Sequence, residues 1–222
     1  VPTISSNTIV KNGMPFIGRV LEQVEPYMDK MFITVSEKCI DQTMNVVETF
    51  HNTHGDKVIV DTENVSRPDE LTHIQQMQLD QSDTDWILFM SDDDFWPREQ
   101  LKKVLDLLGT DKNILAYSIS PYQLLDYEHY DESWHIKSFS KFFRREGARY
   151  IKNWPRELIA DKNNAPLYWR KHPQVKKLPF PDYHFYHLSY IKDHSFRSED
   201  WATSFRINKG SPLKLPKPFS II

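Results

Sequence analysis

The sequence predicts an α/β protein built on a mostly parallel sheet with helices on its faces. Apolar runs of strand length recur at intervals of roughly 26 to 28 residues, and each is followed by a segment with helical spacing. The run at residues 86–90 is apolar without interruption, which is typical of a parallel strand covered on both faces. It leads directly into three consecutive aspartates, and Pro97 then opens a further helical pattern. A chain of 222 residues fits one large domain.

The first half of the chain is predicted to contain four strand–helix units. Strands are expected at residues 3–10, 31–36, 57–60 and 86–90. The four helices are indicated by apolar residues three or four positions apart: Phe16, Val20, Leu21 and Val24; Met44, Val47 and Phe50; Leu71, Ile74 and Met77; Leu101, Val104, Leu105 and Leu108. Thr43 and the segment 66–69 supply helix-capping patterns. Strands joined in this way form right-handed crossovers and therefore a parallel sheet.

The regular alternation stops after residue 121. A further strand is predicted before that point, at residues 114–119, and the strands predicted after it lie at residues 138–145 and 184–191, among loops and shorter strands. The segment after Trp201 contains several prolines and no periodic pattern, so an extended surface segment is expected. We therefore divide the chain into residues 1–109 and 110–200, as two halves of one domain, and a tail at residues 201–222.

Composition limits the classes of function. Apolar residues make up 39% of the chain and aromatic residues 13%, which is enough to build a core. The net charge of −3 gives no general attraction to nucleic acid, and no nucleic-acid partner is expected. No apolar run is long enough to span a bilayer, and no signal-peptide pattern is seen. Cys39 is the single cysteine, which fits a reducing compartment, so a cytoplasmic location is expected.

The aspartates at residues 92–94 are the strongest chemical signal in the chain. Acids at the carboxyl end of a buried parallel strand lie where open α/β sheets bind their ligands. Adjacent carboxylates repel one another by roughly 4 kcal/mol at about 4 Å near a protein surface, so they favour a cation. Hard divalent ions such as Mg²⁺ and Mn²⁺ prefer such oxygen ligands. The alternative is a solvated turn with an aspartate helix cap.

The sequence lacks the glycine-rich loops that cradle phosphates in other nucleotide sites. Its six glycines form neither GxGxxG nor a Walker sequence. A metal that is held by carboxylates and in turn binds a diphosphate is a third way to hold a nucleotide. The ion would act as a Lewis acid on a departing phosphate, as in transfer from a nucleotide-activated donor.

Several segments in order resemble the family-2-like glycosyltransferases of the GT-A fold. Residues 8–12 (TIVKN) are similar to a strand ending in VKNE, and residues 36–43 (SEKCIDQT) to the family loop DxGSTDGT. Residues 85–94 (DWILFMSDDD) are similar to DWILFLDADE, and residues 142–150 (FFRREGARY) to FRRxGxRY. The resemblance is clear over residues 3–109 and looser afterwards. It makes residues 1–109 the nucleotide-sugar-binding half and residues 110–200 the acceptor-side half.

The resemblance implies a sugar transferase with a nucleoside-diphosphate sugar as donor. It also implies Mn²⁺ or Mg²⁺ as cofactor and inversion at the anomeric carbon. A glycan, a lipid-linked molecule or a protein would be the acceptor. Contact with a membrane surface, without a membrane-spanning segment, is left open.

The resemblance also assigns nucleotide-binding residues. Thr8 and Val10 would line the nucleoside pocket, with Ser36, Glu37 and Asp41 nearby. Two positions depart from the family loop. Ser36 stands where the family usually has an acid, and Gln42 stands where it usually has glycine. These departures leave recognition of the base open.

The family's pair of metal-binding acids can be aligned with residues 91–94 in two registers. In one, Asp92 and Asp94 form the DxD pair that binds metal and diphosphate. In the other, Ser91 and Asp93 align with the two acids, so Asp93 is also a candidate. His187, in a late strand, would be a further metal ligand, with His184 as the alternative. Residues three apart in a strand point to opposite faces, so only one of the two histidines can face the site.

An inverting transferase needs a general base for the acceptor hydroxyl. Glu157 falls where some relatives carry an acid after the FRR segment, and Asp131 and Glu132 are rivals. Two other functions compete with the transferase. A nucleotidyltransferase would carry a glycine-rich basic loop after its first strand, which residues 10–14 fit poorly. A non-catalytic sugar-nucleotide or glycan-binding module would use the same fold without turnover.

Overall fold

The computed structural model describes residues 1–64, 71–134, 138–152, 158–168, 170–189, 191, 212–217 and 219. One large mixed sheet forms the centre of this part of the chain, with the strand order β3-β2-β1-β4-β8-β6-β12-β5. The strands are β1 Ile4–Val10, β2 Lys30–Ser36, β3 Val58–Glu63, β4 Trp86–Ser91, β5 Asp94–Phe95, β6 Ala116–Gln123, β7 His129–Asp131, β8 Phe139–Arg144, β9 Arg149–Lys152, β10 Leu158–Ala160, β11 Val175–Lys177, β12 His184–His187 and β13 Pro212–Lys214. The α-helices are α1 Ile17–Val24, α2 Thr43–His54, α3 Leu71–Gln81 and α4 Arg98–Leu105.

The parallel half of the sheet is formed by the four predicted strand–helix units. β1 pairs in parallel with β2 on one side and β4 on the other, and β2 pairs in parallel with β3. A helix follows each of β1, β2 and β3 and leads to the next strand along the chain, as the recurring spacing of the apolar runs predicted. The carboxyl ends of these strands therefore open at the same edge of the sheet.

The second half of the chain extends the same sheet with mixed directions. β8 lies between β4 and β6 and is antiparallel to both. β12 then pairs in parallel with β6, and the two-residue strand β5 pairs antiparallel with β12. Because β5 follows β4 directly in the chain, its pairing with β12 brings β12 beside the carboxyl end of β4.

Apolar side chains cover the two faces of the sheet unequally. The larger cluster lies under α1, α2 and α4 and includes Ile33, Trp86 and Leu88, while a smaller one near α3 includes Ile87 and Phe143. In addition to its apolar contacts, α3 makes hydrogen bonds to the sheet. The side-chain amide of Gln78 donates to the Thr8 carbonyl at 2.8 Å and to Thr34 Oγ1 at 2.9 Å. Such contacts satisfy polar groups in a strand that is otherwise buried.

The observed elements differ from the predicted ones mainly in the second half. The strand expected at residues 114–119 runs from Ala116 to Gln123, and the one expected at residues 184–191 ends at His187, which pairs with Gln123 at the end of β6. The capping segment 66–69 lies outside the described residues. In the predicted surface tail, residues 212–214 instead pair with β7, and Leu215 and Phe219 are buried. Across the described residues, no helix combines the length and apolar character needed to cross a membrane.

Candidate metal and nucleotide site

Three carboxylates lie at the carboxyl end of β4, beside β12. Asp94 forms β5 with Phe95, and its Cα partner in β12 is His187. This pairing places the two side chains on the same face of the strand pair. The acids and the late-strand histidine, which are far apart in sequence, therefore meet at the ligand-binding edge of the sheet.

Asp94 is completely buried and hydrogen-bonded on both of its oxygens. Oδ2 accepts from the Ser91 amide at 2.9 Å and contacts the ammonium group of Lys141. Oδ1 lies 3.0 Å from Nδ1 of His187. Burial alone would raise the pKa of Asp94, but the charge of Lys141 and the hydrogen bond from His187 outweigh it and lower the pKa to about 2. Asp94 is therefore ionised at neutral pH.

Asp93 and His187 are the more accessible members of the group. Oδ1 of Asp93 lies 3.4 Å from Nδ1 of His187, whose side chain is 21% exposed. Burial lowers the pKa of the imidazole, but the charge of Asp93 and the hydrogen bond with Asp94 together raise it above its ordinary value. The two acids thus favour the cationic form of the histidine. A metal ion can supply positive charge to the same acids.

The donor set fits a divalent metal ion. Ligand atoms of Asp93, Asp94 and His187 all lie within 4.8 Å of one another. Two carboxylates and one imidazole are ligands that Mn²⁺ accepts, whereas Mg²⁺ favours oxygen ligands and retained waters. The fit rests on the chemistry of these three side chains. The group combines Asp94 from one predicted register with Asp93 from the other, and Asp94 is available chiefly through Oδ1.

Asp92 is directed towards the loop that follows β1. A Cβ atom on Gly13 would lie 3.4 Å from Oδ2 of Asp92 and only 2.6 Å from Cγ2 of Val10. The closeness of Val10 leaves no room for a side chain at position 13. Glycine there allows the loop backbone, Val10 and the Asp92 carboxylate to approach one another at the edge of the sheet.

Asp41 braces the loops after β1 and β2. Its Oδ2 accepts from the Met14 amide at 3.1 Å, and its Oδ1 accepts from the Thr43 amide at 2.9 Å. The Gly13 amide donates to Thr43 Oγ1 at 2.7 Å, and the Ile40 amide donates to Asn12 Oδ1 at 2.9 Å. These contacts fix the two loops to each other. Asp41 therefore helps to fix the two loops beside which the nucleoside pocket is predicted.

The other predicted nucleoside residues differ in exposure. Thr8, Val10 and Ser36 are buried in β1 and β2. The Lys38 amide approaches Oγ of Ser36 at 3.3 Å, which stabilises the start of the loop. Glu37 is exposed, and its amide donates to the Glu63 carbonyl at 2.9 Å. Glu37 is thus the one of these four whose side chain is presented to solvent.

Of the three candidate bases, the structure describes Asp131 and Glu132, and neither belongs to the group of Asp93, Asp94 and His187. Asp131 is buried in β7, and its Oδ1 accepts from the Ser133 amide at 2.9 Å, as a turn cap does. Glu132 is exposed in the following turn. Glu157 lies outside the described residues.

The two histidines of β12 face opposite sides, as the strand period requires. Nδ1 of His184 lies 2.8 Å from the Pro181 carbonyl oxygen, and its ring packs edge-on against Tyr122 and Tyr186. Burial lowers the pKa of His184, which favours the neutral ring. His184 therefore belongs to an aromatic cluster, and His187 faces the acids.

Sequence reasoning did not single out Lys141. The sequence nevertheless contains a signal for Lys141. In the predicted strand Lys141 shares a face with Phe139 and Phe143, and a lysine on an apolar face needs an acidic partner. The lysine is 4% exposed and contacts Asp94. The partner could not be identified from the sequence because the two residues are 47 positions apart.

The model of the family described as "Glycosyl transferase family 2" matches residues 14–161 of this chain. Among curated protein sequences, no significant match was found. The family match begins within the loop after β1 and includes the acids after β4 and the whole of β8. It thus covers the predicted nucleotide-binding half from residue 14 onward and continues beyond it to residue 161.

Comparison with solved structures gives resemblances at low identity. S. aureus TarS is 15% identical, with a TM-score of 0.49 over 83% of this chain and 60% of that one. The mannosyltransferase PcManGT from Pyrobaculum calidifontis, solved with GDP-Man and Mn²⁺, is 16% identical, with a TM-score of 0.47 over 65% and 45%. Glucosyl-3-phosphoglycerate synthase from Mycobacterium tuberculosis, solved with Mn²⁺, UDP and phosphoglyceric acid, is 17% identical, with a TM-score of 0.42 over 55% and 43%. The chain spans between 36% and 60% of the length of such structures.

Proposed function

The chain belongs to glycosyl transferase family 2 and has the mostly parallel GT-A type of sheet, and from this we propose that it moves a sugar from a nucleoside-diphosphate donor to an acceptor with the help of a divalent metal ion. The observation that carries the proposal is the group formed by Asp93, Asp94 and His187 at the carboxyl edge of the sheet. Family membership alone would allow a non-catalytic relative. The combination of this donor set with the braced loops after β1 and β2 supports a working donor site.

Each part of the site has a distinct task in the proposed reaction. Asp93 and His187 hold the ion, Asp94 orients His187, and Asp92 faces the loop where the nucleoside would lie. When bound, the ion supplies Lewis-acid stabilisation of the departing diphosphate. The loop carrying Asp41 fixes the shape of the nucleoside pocket, so that the donor is held in one orientation.

The proposal is tested by calorimetric titration of UDP, GDP, CDP and dTDP, each with Mn²⁺, with Mg²⁺ and with EDTA. We expect one nucleotide to bind in the presence of metal and to lose at least about tenfold in affinity with EDTA, since the diphosphate is bound through the ion. The comparison of the two metals tests which cofactor is preferred. If none of the four binds to protein shown to be folded, the family relationship describes the fold without the activity.

For transfer itself, we propose inversion with Glu157 as the general base and Asp131 as its rival. Glu157→Gln should leave donor binding near normal and reduce transfer by about 10²-fold or more, because a positioned base contributes that much to proton removal. Glu48→Gln is the matched control, since Glu48 is exposed on α2 and has no proposed role. Wild-type rates for Glu157→Gln would move the role to Asp131 or Glu132. The stereochemistry of the product, followed by NMR, tests inversion separately.

A further inference from the structure

Lys141 places a positive charge inside the proposed metal site. Its Nζ lies 5.0 Å from the ring centroids of both Phe89 and Phe185 and 5.8 Å from that of Phe139. The side chain contacts Asp94, and the aromatic faces partly compensate for the water that the ammonium group has lost. A buried lysine of this kind is costly unless its charge is matched. Asp94, the acidic partner of Lys141, therefore has to remain beside the ammonium group.

Because of the contact with Lys141, the two oxygens of Asp94 have different partners. Oδ2 is taken by the ammonium group and by the Ser91 amide, and Oδ1 remains on the side of His187. An ammonium group beside Oδ2 repels a second cation from that oxygen. A divalent ion that approaches these acids is consequently kept from Oδ2 of Asp94 and can reach only Oδ1, which is shared with His187.

We propose that Lys141 is a positioning residue for the metal: it neutralises Asp94 and reserves its Oδ2, so that the ion is held by Asp93, His187 and at most the outer oxygen Oδ1 of Asp94. This inference rests on the metal site of the proposed function. The position of Lys141 also affects the order in which the ion and the donor bind. With few protein ligands and a resident positive charge nearby, the ion binds weakly by itself and is held firmly only when the donor diphosphate completes its coordination.

The test compares Mn²⁺ binding without nucleotide, measured by electron paramagnetic resonance of the free ion, in the wild type and three variants. Lys141→Gln removes the charge but keeps a hydrogen-bond donor, and Lys141→Arg keeps the charge. Lys176→Gln is the control for loss of a lysine, since Lys176 is exposed in β11. The measurements are made at mildly alkaline pH, where the carboxylates are ionised.

We expect Lys141→Gln to bind Mn²⁺ at least about tenfold more tightly than the wild type, because a nearby positive charge is removed and Oδ2 is released. Lys141→Arg and Lys176→Gln should stay within about threefold of the wild type. Adding Asp94→Asn to Lys141→Gln should abolish the gain, which ties it to Asp94. Mn²⁺ should also raise the thermal midpoint of Lys141→Gln more than that of the wild type, as a ligand that binds the folded state does.

Unchanged or weaker Mn²⁺ affinity in Lys141→Gln would overturn the inference. Circular dichroism establishes whether each variant is folded. If Lys141→Gln does not fold, the inference is tested by the Mn²⁺ affinity of Lys141→Arg. Tighter Mn²⁺ binding by the arginine variant would show that the positive charge does not limit the metal. Failure of the wild type to bind any nucleotide with Mn²⁺ would instead remove the proposed function, so the two failures can be distinguished.

Discussion

Asp93→Asn is expected to reduce sugar transfer by at least about 10²-fold, since changes even in the residues behind a metal ligand cost 10-fold to 100-fold and Asp93 is proposed to bind the ion directly. The amide keeps the shape of the carboxylate and removes its charge. The metal then has only His187 and the outer oxygen of Asp94 as protein ligands. Mn²⁺-dependent nucleotide binding should fall in parallel with transfer. Steady-state transfer and calorimetry on the same preparation measure both quantities.

The control for Asp93→Asn is Asp56→Asn, because Asp56 is exposed in the turn between α2 and β3. It should bind nucleotide and transfer sugar as the wild type does. Asp92→Asn provides the comparison between the two sequence registers. If Asp92→Asn loses metal-dependent binding while Asp93→Asn retains it, the ligand pair is Asp92 and Asp94, and the proposed role of Asp93 is wrong.

The parallel half of the fold could be predicted because its information is local. Each strand–helix unit carries its own apolar period, and the acids follow a strand whose carboxyl end must lie at the ligand-binding edge. The separation of His184 and His187 onto opposite faces also follows from the strand period alone. These predictions needed no knowledge of which strands are neighbours.

The remaining features depend on pairings between distant segments. β8 enters the sheet between β4 and β6, and nothing in residues 139–144 states which strands they will pair with. The contact of Lys141 with Asp94 arises only from that insertion. The bracing role of Asp41 likewise depends on the amide of Met14, which lies 27 positions away. Sequence reasoning identified the acids but could not establish which of them are already paired within the protein.

A second large effect is expected on stability. Asp94→Asn should lower the free energy of unfolding by about 3–5 kcal/mol, because removing one partner of a buried ion pair leaves the other charge uncompensated. In this variant the ammonium group of Lys141 remains buried among aromatic rings. Urea denaturation followed by tryptophan fluorescence measures the change. A loss below about 1 kcal/mol, the size typical of an exposed pair, would contradict the buried pairing.

The dependence of this effect on pH tests its electrostatic origin. The pKa of Asp94 is lowered from 3.8 to about 2 in the folded protein, so its ionised form stabilises the fold above pH 4 and loses this contribution as the pH falls towards 2. The difference in stability between the wild type and Asp94→Asn should therefore shrink over that interval. Comparing the two proteins at each pH cancels the titration of the other carboxylates. A constant difference would point to lost packing instead.

Replacing both partners separates the stability of the pair from its function. Asp94→Leu with Lys141→Met should recover much of the stability lost in Asp94→Asn, because apolar residues of similar volume often replace a buried ion pair without loss. The same protein should lack tight metal-dependent donor binding, since His187 has lost the acid that orients it. Restored stability without restored binding would mean that the fold tolerates an apolar pair at these positions. The charged pair would then owe its presence to the metal site, where Asp94 holds His187 and Lys141 keeps Asp94 from becoming a full ligand.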